Sequence, residues 1–328
     1  MIDFGNDIFK MTTLTDAINK IPFVPSRIGQ LGIFQSQGVP TTSIVIEERK
    51  GILALLQTKR RGEPGLITRN AKRKTRSFAI PHIPYDDEIL AESIQNVREF
   101  GSEDQMQAVV KVIADKLAEM RQSHEATLEF HRCGALNGII LDADASTIFN
   151  LFTEFGITQQ TLNFALGTAT TDVRKKCTAM LRFIEKALGN AGYTGVRALC
   201  GSDFFDALIG AESVKAAYYR YQDSVNLRND PRNGFEFGGI TFEEYRGKVD
   251  TTQFVGANTA RFFPVGVPNL FKTYFAPADF IETVNTIGLP YYAKSEPMKF
   301  NRGVEIHTQS NPLCLCTMPG VLVAGTNT

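Results

Sequence analysis

Residues 102–133 contain neither glycine nor proline, and their apolar residues recur at alternating spacings of four and three. The stripe comprises Met106, Val110, Ile113, Leu117, Met120, His124 and Thr127, of which the last two are polar. This periodicity predicts one helix of about 30 residues, roughly 45 Å long at 1.5 Å per residue. Because that length exceeds the width of a small domain, the helix cannot pack on one local core. A coiled coil is the alternative, although the repeat lasts under four heptads.

Both ends of this helix carry expected capping residues. Ser102 and Gln105 fit a capping box, in which the hydroxyl and the amide satisfy the first free backbone N–H groups. Gly134 is expected to cap the other end, because glycine readily adopts the left-handed conformation that stops a helix.

The charge balance bears on the class of protein. Lys and Arg total 35, as do Asp and Glu, so the formal net charge is zero. A neutral protein is poorly protected against self-association, which fits a chain that assembles. A dedicated nucleic-acid binder usually carries a basic surplus, so this balance argues against that class. At 43% apolar and 21% charged residues, the composition is that of a globular protein.

The first 38 residues read as an extended arm. A weak helical pattern at 14–19 is followed by prolines and glycines at a density that disfavours helices and central strands. Phe23, Ile28, Leu31 and Phe34 would then have to be buried on something other than the arm itself. A loose terminus is the alternative.

Residues 39–84 predict a long loop on a stalk of strands. Apolar runs at 43–48, 52–57 and 77–80 favour strands, and a tip at 58–76 separates the last two. One acid, Glu63, lies between 49 and 76. The basic residues of this range are Arg49, Lys50, Lys59, Arg60, Arg61, Arg69, Lys72, Arg73, Lys74 and Arg76.

An acidic segment follows the basic loop, with Arg98 as its one basic residue. Its acids are Asp86, Asp87, Glu88, Glu92, Glu99, Glu103 and Asp104. A loop on a strand stalk points away from its own body. We therefore expect pairing with the acids of a neighbouring subunit, with two solvated faces as the alternative.

The second half of the chain predicts a mixed α+β unit. Helices are expected at 171–188, 202–209 and 212–221, a strand at 196–200, and a hairpin at 235–242 around Gly238-Gly239. The tail, 303–323, is strand-like and is expected to rejoin the long helix. The fold class is therefore α+β.

Candidates for chemistry are few. Cys314 and Cys316 lack the second ligand pair of a metal site, and His124 and His131 are seven residues apart instead of four, so we expect packing roles. The glycine-rich run 189–195 follows a helix, the reverse of a phosphate loop. We predict no catalytic residue, metal or cofactor. No membrane span or signal peptide is recognised, so a cytoplasmic protein with free thiols is expected.

Several motifs carry a resemblance to a known family. They are Arg98-Glu99-Phe100-Gly101, the runs 237–247, 263–268 and 274–279, the run 282–294 (ETVNTIGLPYYAK), and Gln309-Ser310-Asn311-Pro312-Leu313. This combination resembles the phage major capsid protein E family, of the lambda type. The resemblance covers the chain from about residue 80 to its end.

The resemblance implies the Hong Kong 97-like capsid fold and its order of parts. Residues 1–38 correspond to an N-terminal arm and 39–84 to an extended loop. Residues 85–170 correspond to a peripheral domain with its spine helix at 102–133. An axial domain follows at 171–289, and 290–328 return to the peripheral domain.

The function implied is that of a non-enzymatic shell protein, assembling as hexamers and pentamers around the genome of a tailed double-stranded DNA phage. Scaffold, decoration and portal proteins are implied partners, with non-specific proximity to packaged DNA and no membrane. The protein is expected in the virion after assembly in the host cytoplasm. The first alternative is a nucleic-acid binder that uses the 49–76 loop. The second is an encapsulated or hydrolytic enzyme.

Overall fold

The computed structural model describes residues 10–20, 26–48, 74–94, 105–219, 231–249 and 252–327. The described helices are α1 (Met11–Lys20), α2 (Arg27–Gln30), α3 (Ala91–Ile94), α4 (Gln105–Asn137), α5 (Leu151–Phe155), α6 (Val173–Leu188), α7 (Ser202–Gly210) and α8 (Glu212–Tyr219). The first nine strands are β1 (Phe34–Gly38), β2 (Ser43–Glu48), β3 (Lys74–Ala79), β4 (Ile83–Leu90), β5 (Ile139–Leu141), β6 (Thr147–Asn150), β7 (Gln160–Asn163), β8 (Gly195–Cys200) and β9 (Phe235–Phe237). The others are β10 (Ile240–Glu244), β11 (Lys248–Val249), β12 (Thr252–Gln253), β13 (Thr259–Val265), β14 (Phe271–Phe275), β15 (Tyr292–Pro297), β16 (Gly303–Ser310), β17 (Pro312–Cys316) and β18 (Val323–Thr326).

Helix α4 confirms the long helix from residue 105 and extends it past residue 133. The predicted start at Ser102, with its capping box, lies outside the described residues. The 33 residues of α4 span about 50 Å. The predicted cap at Gly134 is wrong, because α4 continues to Asn137 and the left-handed residue is Gly138, with φ of 78°. Gly134 instead lets strand β5 approach the helix, since a Cβ there would lie 3.0 Å from the Ile139 oxygen and the Ile140 Cα.

A three-stranded antiparallel sheet, in the order β15–β16–β4, covers the first half of α4. Alternate residues of β16, such as Val304 and Ile306, are buried with Ile113 and Leu117 of the helix. The residues that alternate with them along β16, Glu305 and His307, lie on the opposite face of the sheet. This alternation gives the sheet one apolar face and one solvent-facing polar face.

The second unit is built on a six-stranded mixed sheet, in the order β7–β18–β13–β8–β10–β9. Phe164 stacks on Phe262, with ring centroids 5.4 Å apart, and both rings are fully buried. Helix α6 packs its buried residues Val173, Cys177 and Met180 into the same core. The predicted helices and the 235–242 hairpin are confirmed here, so the α+β class is correct.

The tail divides between the units. Strand β16 lies beside β4, and β17 contacts α4, which confirms that the tail rejoins the long helix. The whole tail was expected to rejoin the long helix. Strand β18 does not, because it pairs with β13 and β7 in the six-stranded sheet.

The N-terminal segment packs on its own chain. Helix α1 confirms the weak helical pattern and buries Leu14 and Ile18 against α4 and β15. Strand β1 pairs in parallel with β14, which places Phe34 beside Phe271. Ile28 is buried as well. Ile28 is thus buried and Phe34 partly buried on something other than the arm itself, as expected, and the surfaces that cover them are α4 and β14 of the same chain. Phe23 lies outside the described residues.

The stalk of the long loop is a two-stranded antiparallel ribbon of β2 and β3. It confirms the predicted strand at 43–48 and the returning strand near 77–80. The predicted strand at 52–57 and residues 58–73 of the predicted tip lie outside the described residues, whereas residues 74–76, which were assigned to the tip, belong to β3.

Candidate assembly surfaces

Of the basic residues predicted to contact a neighbouring subunit, the structure describes Lys74 and Arg76, which lie at the start of β3. The Arg76 Nε atom donates to the Glu154 carbonyl at 2.7 Å, and its guanidinium lies 4.5 Å from the centre of the Phe155 ring. Arg76 thus fastens the stalk to α5 of the same chain. Lys59, Arg60, Arg61, Arg69, Lys72 and Arg73 lie outside the described residues.

The predicted acidic counterpart is partly engaged within the chain. The Lys116 ammonium lies 2.7 Å from the Asp87 carboxylate, and this hydrogen bond lowers the pKa of Asp87. Asp86 contacts His307 on the neighbouring strand. Glu88 and Glu92 are exposed, whereas Glu99, Glu103 and Asp104 lie outside the described residues.

The register of the three-stranded sheet aligns further acids that the sequence did not reveal. Glu305 stands directly opposite Glu88 on one side and Glu296 on the other. Like charges in directly opposed positions destabilise a sheet. No ion pair satisfies these three carboxylates among the residues described. The three are far apart in sequence, so only strand pairing shows that they form a row.

The acidic row lies along a groove of about 760 Å³ between the sheet and the segment that precedes β15. The lining residues include Asp279, Phe280 and Lys294. Lys294 contacts the Glu282 carboxylate at 3.1 Å and lies 5.4 Å from the centre of the Phe280 ring. Its charge is therefore already shared with Glu282, and the groove remains acidic.

Two buried carboxylates hold the N-terminal segment. Glu129 of α4 accepts hydrogen bonds from the Ile28 N–H at 2.7 Å, from the Tyr245 hydroxyl at 2.9 Å, and from the Ser26 hydroxyl. Burial raises the pKa of Tyr245, and the negative charge of Glu129 adds to this effect. The structure thereby joins one stretch of N-terminal chain to the long helix and the six-stranded sheet.

The second carboxylate, Glu243 on β10, is approached by two arginines. Arg27 forms a two-pronged contact, its second guanidinium nitrogen lying 2.7 Å from Glu243, and this hydrogen bond raises the pKa of Arg27. Arg197 completes the cluster at 3.4 Å. Such forked contacts fix geometry as well as charge.

Exposed apolar side chains concentrate in two places. Ile281, Val284 and Ile287 expose 91%, 65% and 68% of their surface just before β15. Phe300, at the turn between β15 and β16, exposes 89%. Exposed apolar groups on well-defined backbone are typical of surfaces that contact another molecule.

The histidines of α4 have the packing and polar-contact roles expected. His124 is buried, and its Nε2 atom lies 3.0 Å from the Thr308 hydroxyl. Burial lowers the pKa of His124 to about 4, and the nearby His307 adds to the shift. His131 is buried as well, which lowers its pKa in the same direction.

His124 should make the fold acid-sensitive. Between pH 6.5 and about 4 the unfolded chain takes up a proton on this imidazole and the folded chain does not. The free energy of unfolding should therefore fall by about 3 kcal/mol as the pH drops through this window. Denaturant unfolding of the unassembled protein at pH 7.5 and 4.5 measures the effect. His124→Gln should show a clearly smaller pH slope, and an unchanged slope would contradict this assignment.

The cysteines behave as packing residues. Cys314 and Cys316 are fully buried, and burial raises the pKa of the Cys314 thiol to about 11. All five thiols are free, as expected. Among the described residues no group of side chains has the arrangement of a metal site, and no helix is long and apolar enough to span a bilayer.

Comparison with known proteins identifies the family. The family model described as "Phage major capsid protein E" matches residues 10–327. The chain belongs to this family. It is 31% identical over 342 residues to the major capsid protein of Pseudomonas phage KPP10, covering 97% of this chain and 96% of the relative. Members of the phage major capsid protein E family are structural proteins of the shell.

Solved structures agree on the fold. A putative capsid protein of an Escherichia coli CFT073 prophage matches with a TM-score of 0.56 at 11% identity, covering 97% of this chain and 99% of that one. The mature capsid of bacteriophage PhiM1 matches with a TM-score of 0.52 at 11% identity, covering 90% of this chain and 85% of that one. The phage major capsid protein E chain thus has the predicted Hong Kong 97-like fold.

Proposed function

We propose that this protein is the major capsid protein of a tailed double-stranded DNA phage, and that its copies assemble as hexamers and pentamers into the icosahedral shell. The observation that carries the proposal is the family match, which spans residues 10–327. The 31% identical relative from phage KPP10 is itself named a major capsid protein. The division into arm, extended loop, peripheral and axial domains at the boundaries given above is part of the proposal, except that β18 joins the six-stranded sheet and not the peripheral domain.

The shell's surroundings follow from the same proposal. Copies of this chain are the principal partners, and the protein resides in the virion after assembly in the host cytoplasm. Scaffold, decoration and portal proteins are its further partners. The packaged DNA lies close by without being recognised by sequence.

Contact between copies is proposed to use the basic loop. Arg76 fastens β3, the strand that follows these basic residues in the sequence, to α5 of the same chain. The acids Glu88 and Glu92 are exposed and offer counter-charges on a neighbour. Each exposed pair contributes about 0–1 kcal/mol. Many such pairs, repeated over the shell, set the orientation of the copies.

Electron microscopy and sedimentation of the purified protein test the shell function. Closed shells, or rings of five and six copies, support it. A monomer that shifts DNA in a salt-sensitive manner would instead identify a nucleic-acid binder and overturn the proposal.

Reversing the charge of Arg60, Arg61, Arg73 and Lys74 to Glu tests the loop. Shell yield should fall at least tenfold while the circular dichroism spectrum stays unchanged, because the substitutions replace charged side chains, which are seldom buried, and remove no apolar one. Combining this variant with Lys at Glu88, Glu92, Glu99 and Glu103 should restore part of the yield if the pairing is correct. Normal shells from the first variant would refute the use of the loop.

A further inference from the structure

The turn between β15 and β16 forms a basic and aromatic tip, comprising Lys299, Phe300, Asn301 and Arg302, all exposed. Phe300 exposes 89% of its surface, and the Arg302 guanidinium lies 5.8 Å from the centre of its ring. A phenylalanine this exposed leaves its apolar ring in water, which burial against another surface would relieve. The tip carries two positive charges beside that ring.

The backbone of this tip is both disfavoured and well fixed. Phe300 has φ of 63° and ψ of 20°, a left-handed conformation that is rare for a bulky residue. Met298 donates to the Gly303 carbonyl at 3.0 Å, and Ala91 donates to the Arg302 carbonyl at 2.8 Å. Residues kept in such conformations cluster at sites of function. The conformation of the turn therefore holds the Phe300 ring exposed to solvent and prevents it from packing on its own chain.

The groove on the same sheet has the complementary chemistry. Six carboxylates and one lysine line it together with the Phe280 ring. Lys294, Asp86 and Asp87 have partners in the chain, whereas Glu296 and Glu305 have none among the described residues. Ile281, the residue after Phe280, has an exposed side chain. A ligand of this groove needs an apolar ring flanked by positive charge.

We propose that the tip of one copy inserts into the acidic groove of a second copy, with Phe300 against Phe280 and with Lys299 and Arg302 facing Glu296 and Glu305. The inference rests on the proposed shell function and names a contact distinct from the basic loop. A second copy is the occupant because the chain itself carries both halves of the complementary pair, and both lie on the same three-stranded sheet. Repeated between copies, such a contact extends an assembly.

Phe300→Asn separates assembly from folding. Asparagine tolerates the left-handed conformation, so the unassembled variant should melt at the wild-type temperature or above it. Its shell yield should fall at least tenfold, whereas Phe300→Tyr, which keeps the ring, should assemble as the wild type does. Wild-type yields from Phe300→Asn would overturn the proposal. Absence of shells from the wild-type protein would instead refute the shell function itself.

Cross-linking identifies the partner. Shells assembled from equal amounts of ¹⁴N- and ¹⁵N-labelled wild-type protein are treated with a carbodiimide, which joins lysines to touching carboxylates. Mixed-isotope peptides linking Lys299 to Glu296 or Glu305 are expected. Links confined to one isotope would contradict contact between copies. If Phe300→Asn forms normal shells that fail to retain DNA, the tip contacts nucleic acid. That result would also overturn the proposed contact between copies.

Discussion

Glu129→Leu should lower the free energy of unfolding of the unassembled protein by about 3 kcal/mol or more. The substitution removes the acceptor of the Ile28 N–H, the Tyr245 hydroxyl and the Ser26 hydroxyl at once. The Ile28 N–H and the Tyr245 hydroxyl lie in buried surroundings, where an unsatisfied donor is costly. Urea unfolding followed by circular dichroism measures the change.

Tyr245→Phe provides the matched control, because it removes one of the three hydrogen bonds and leaves the carboxylate in place. Its expected cost is about 1 kcal/mol. Hydrogen exchange should separate the two variants further, with residues 11–20 and 27–38 losing protection in Glu129→Leu and keeping it in Tyr245→Phe. Equal stability of Glu129→Leu and the wild type would show that the N-terminal segment is held elsewhere.

The Glu129 contacts also change how the N-terminal segment is understood. Its local sequence, rich in proline and glycine, predicts an extended arm, and that reasoning is sound for short-range structure. The segment is nevertheless fixed by two acids from distant parts of the chain, Glu129 and Glu243, and by pairing with β14. Contacts of such long sequence separation leave no local pattern to recognise.

The elements that the sequence predicted well are those with a strong internal period. Helix α6 begins at Val173, next to its cap Asp172 and two residues after the predicted start, and it ends at Leu188, as predicted. The ribbon strand β2 and the Gly238-Gly239 hairpin follow from alternation and turn chemistry in the same way. In each case the deciding interactions join residues near in sequence.

The assembly surfaces were harder to predict because they depend on strand register. Asp86, Asp87 and Glu88 form an obvious acidic run, yet the structure commits Asp87 to Lys116 and Asp86 to His307. Glu296 and Glu305 are isolated acids in sequence and become neighbours only when β15 pairs with β16. Local charge counts therefore identify acidic segments, whereas tertiary pairing decides which acids remain available.

Gly288→Ala should destabilise the protein by about 3 kcal/mol. Gly288 lies in the 282–294 run that carries the family resemblance, and its N–H donates to the Val39 carbonyl at 3.0 Å. A Cβ at this position would lie 2.0 Å from the Phe275 carbonyl oxygen. Backbone cannot move aside as a side chain can, so the strand ends beside Gly288 would have to separate.

Gly167→Ala is the matched control for Gly288→Ala, because a Cβ at Gly167 meets no atom within 4 Å. Alanine there restricts the unfolded chain and should leave stability unchanged or raise it by about 0.4–1 kcal/mol. Thermal unfolding of both variants distinguishes steric conflict from the general effect of removing a glycine. Similar melting temperatures for the two variants would show that the close approach of Gly288 to Phe275 does not constrain the fold. If the prediction holds, glycine is required at 288 because β1, β14 and the segment before β15 meet there backbone to backbone.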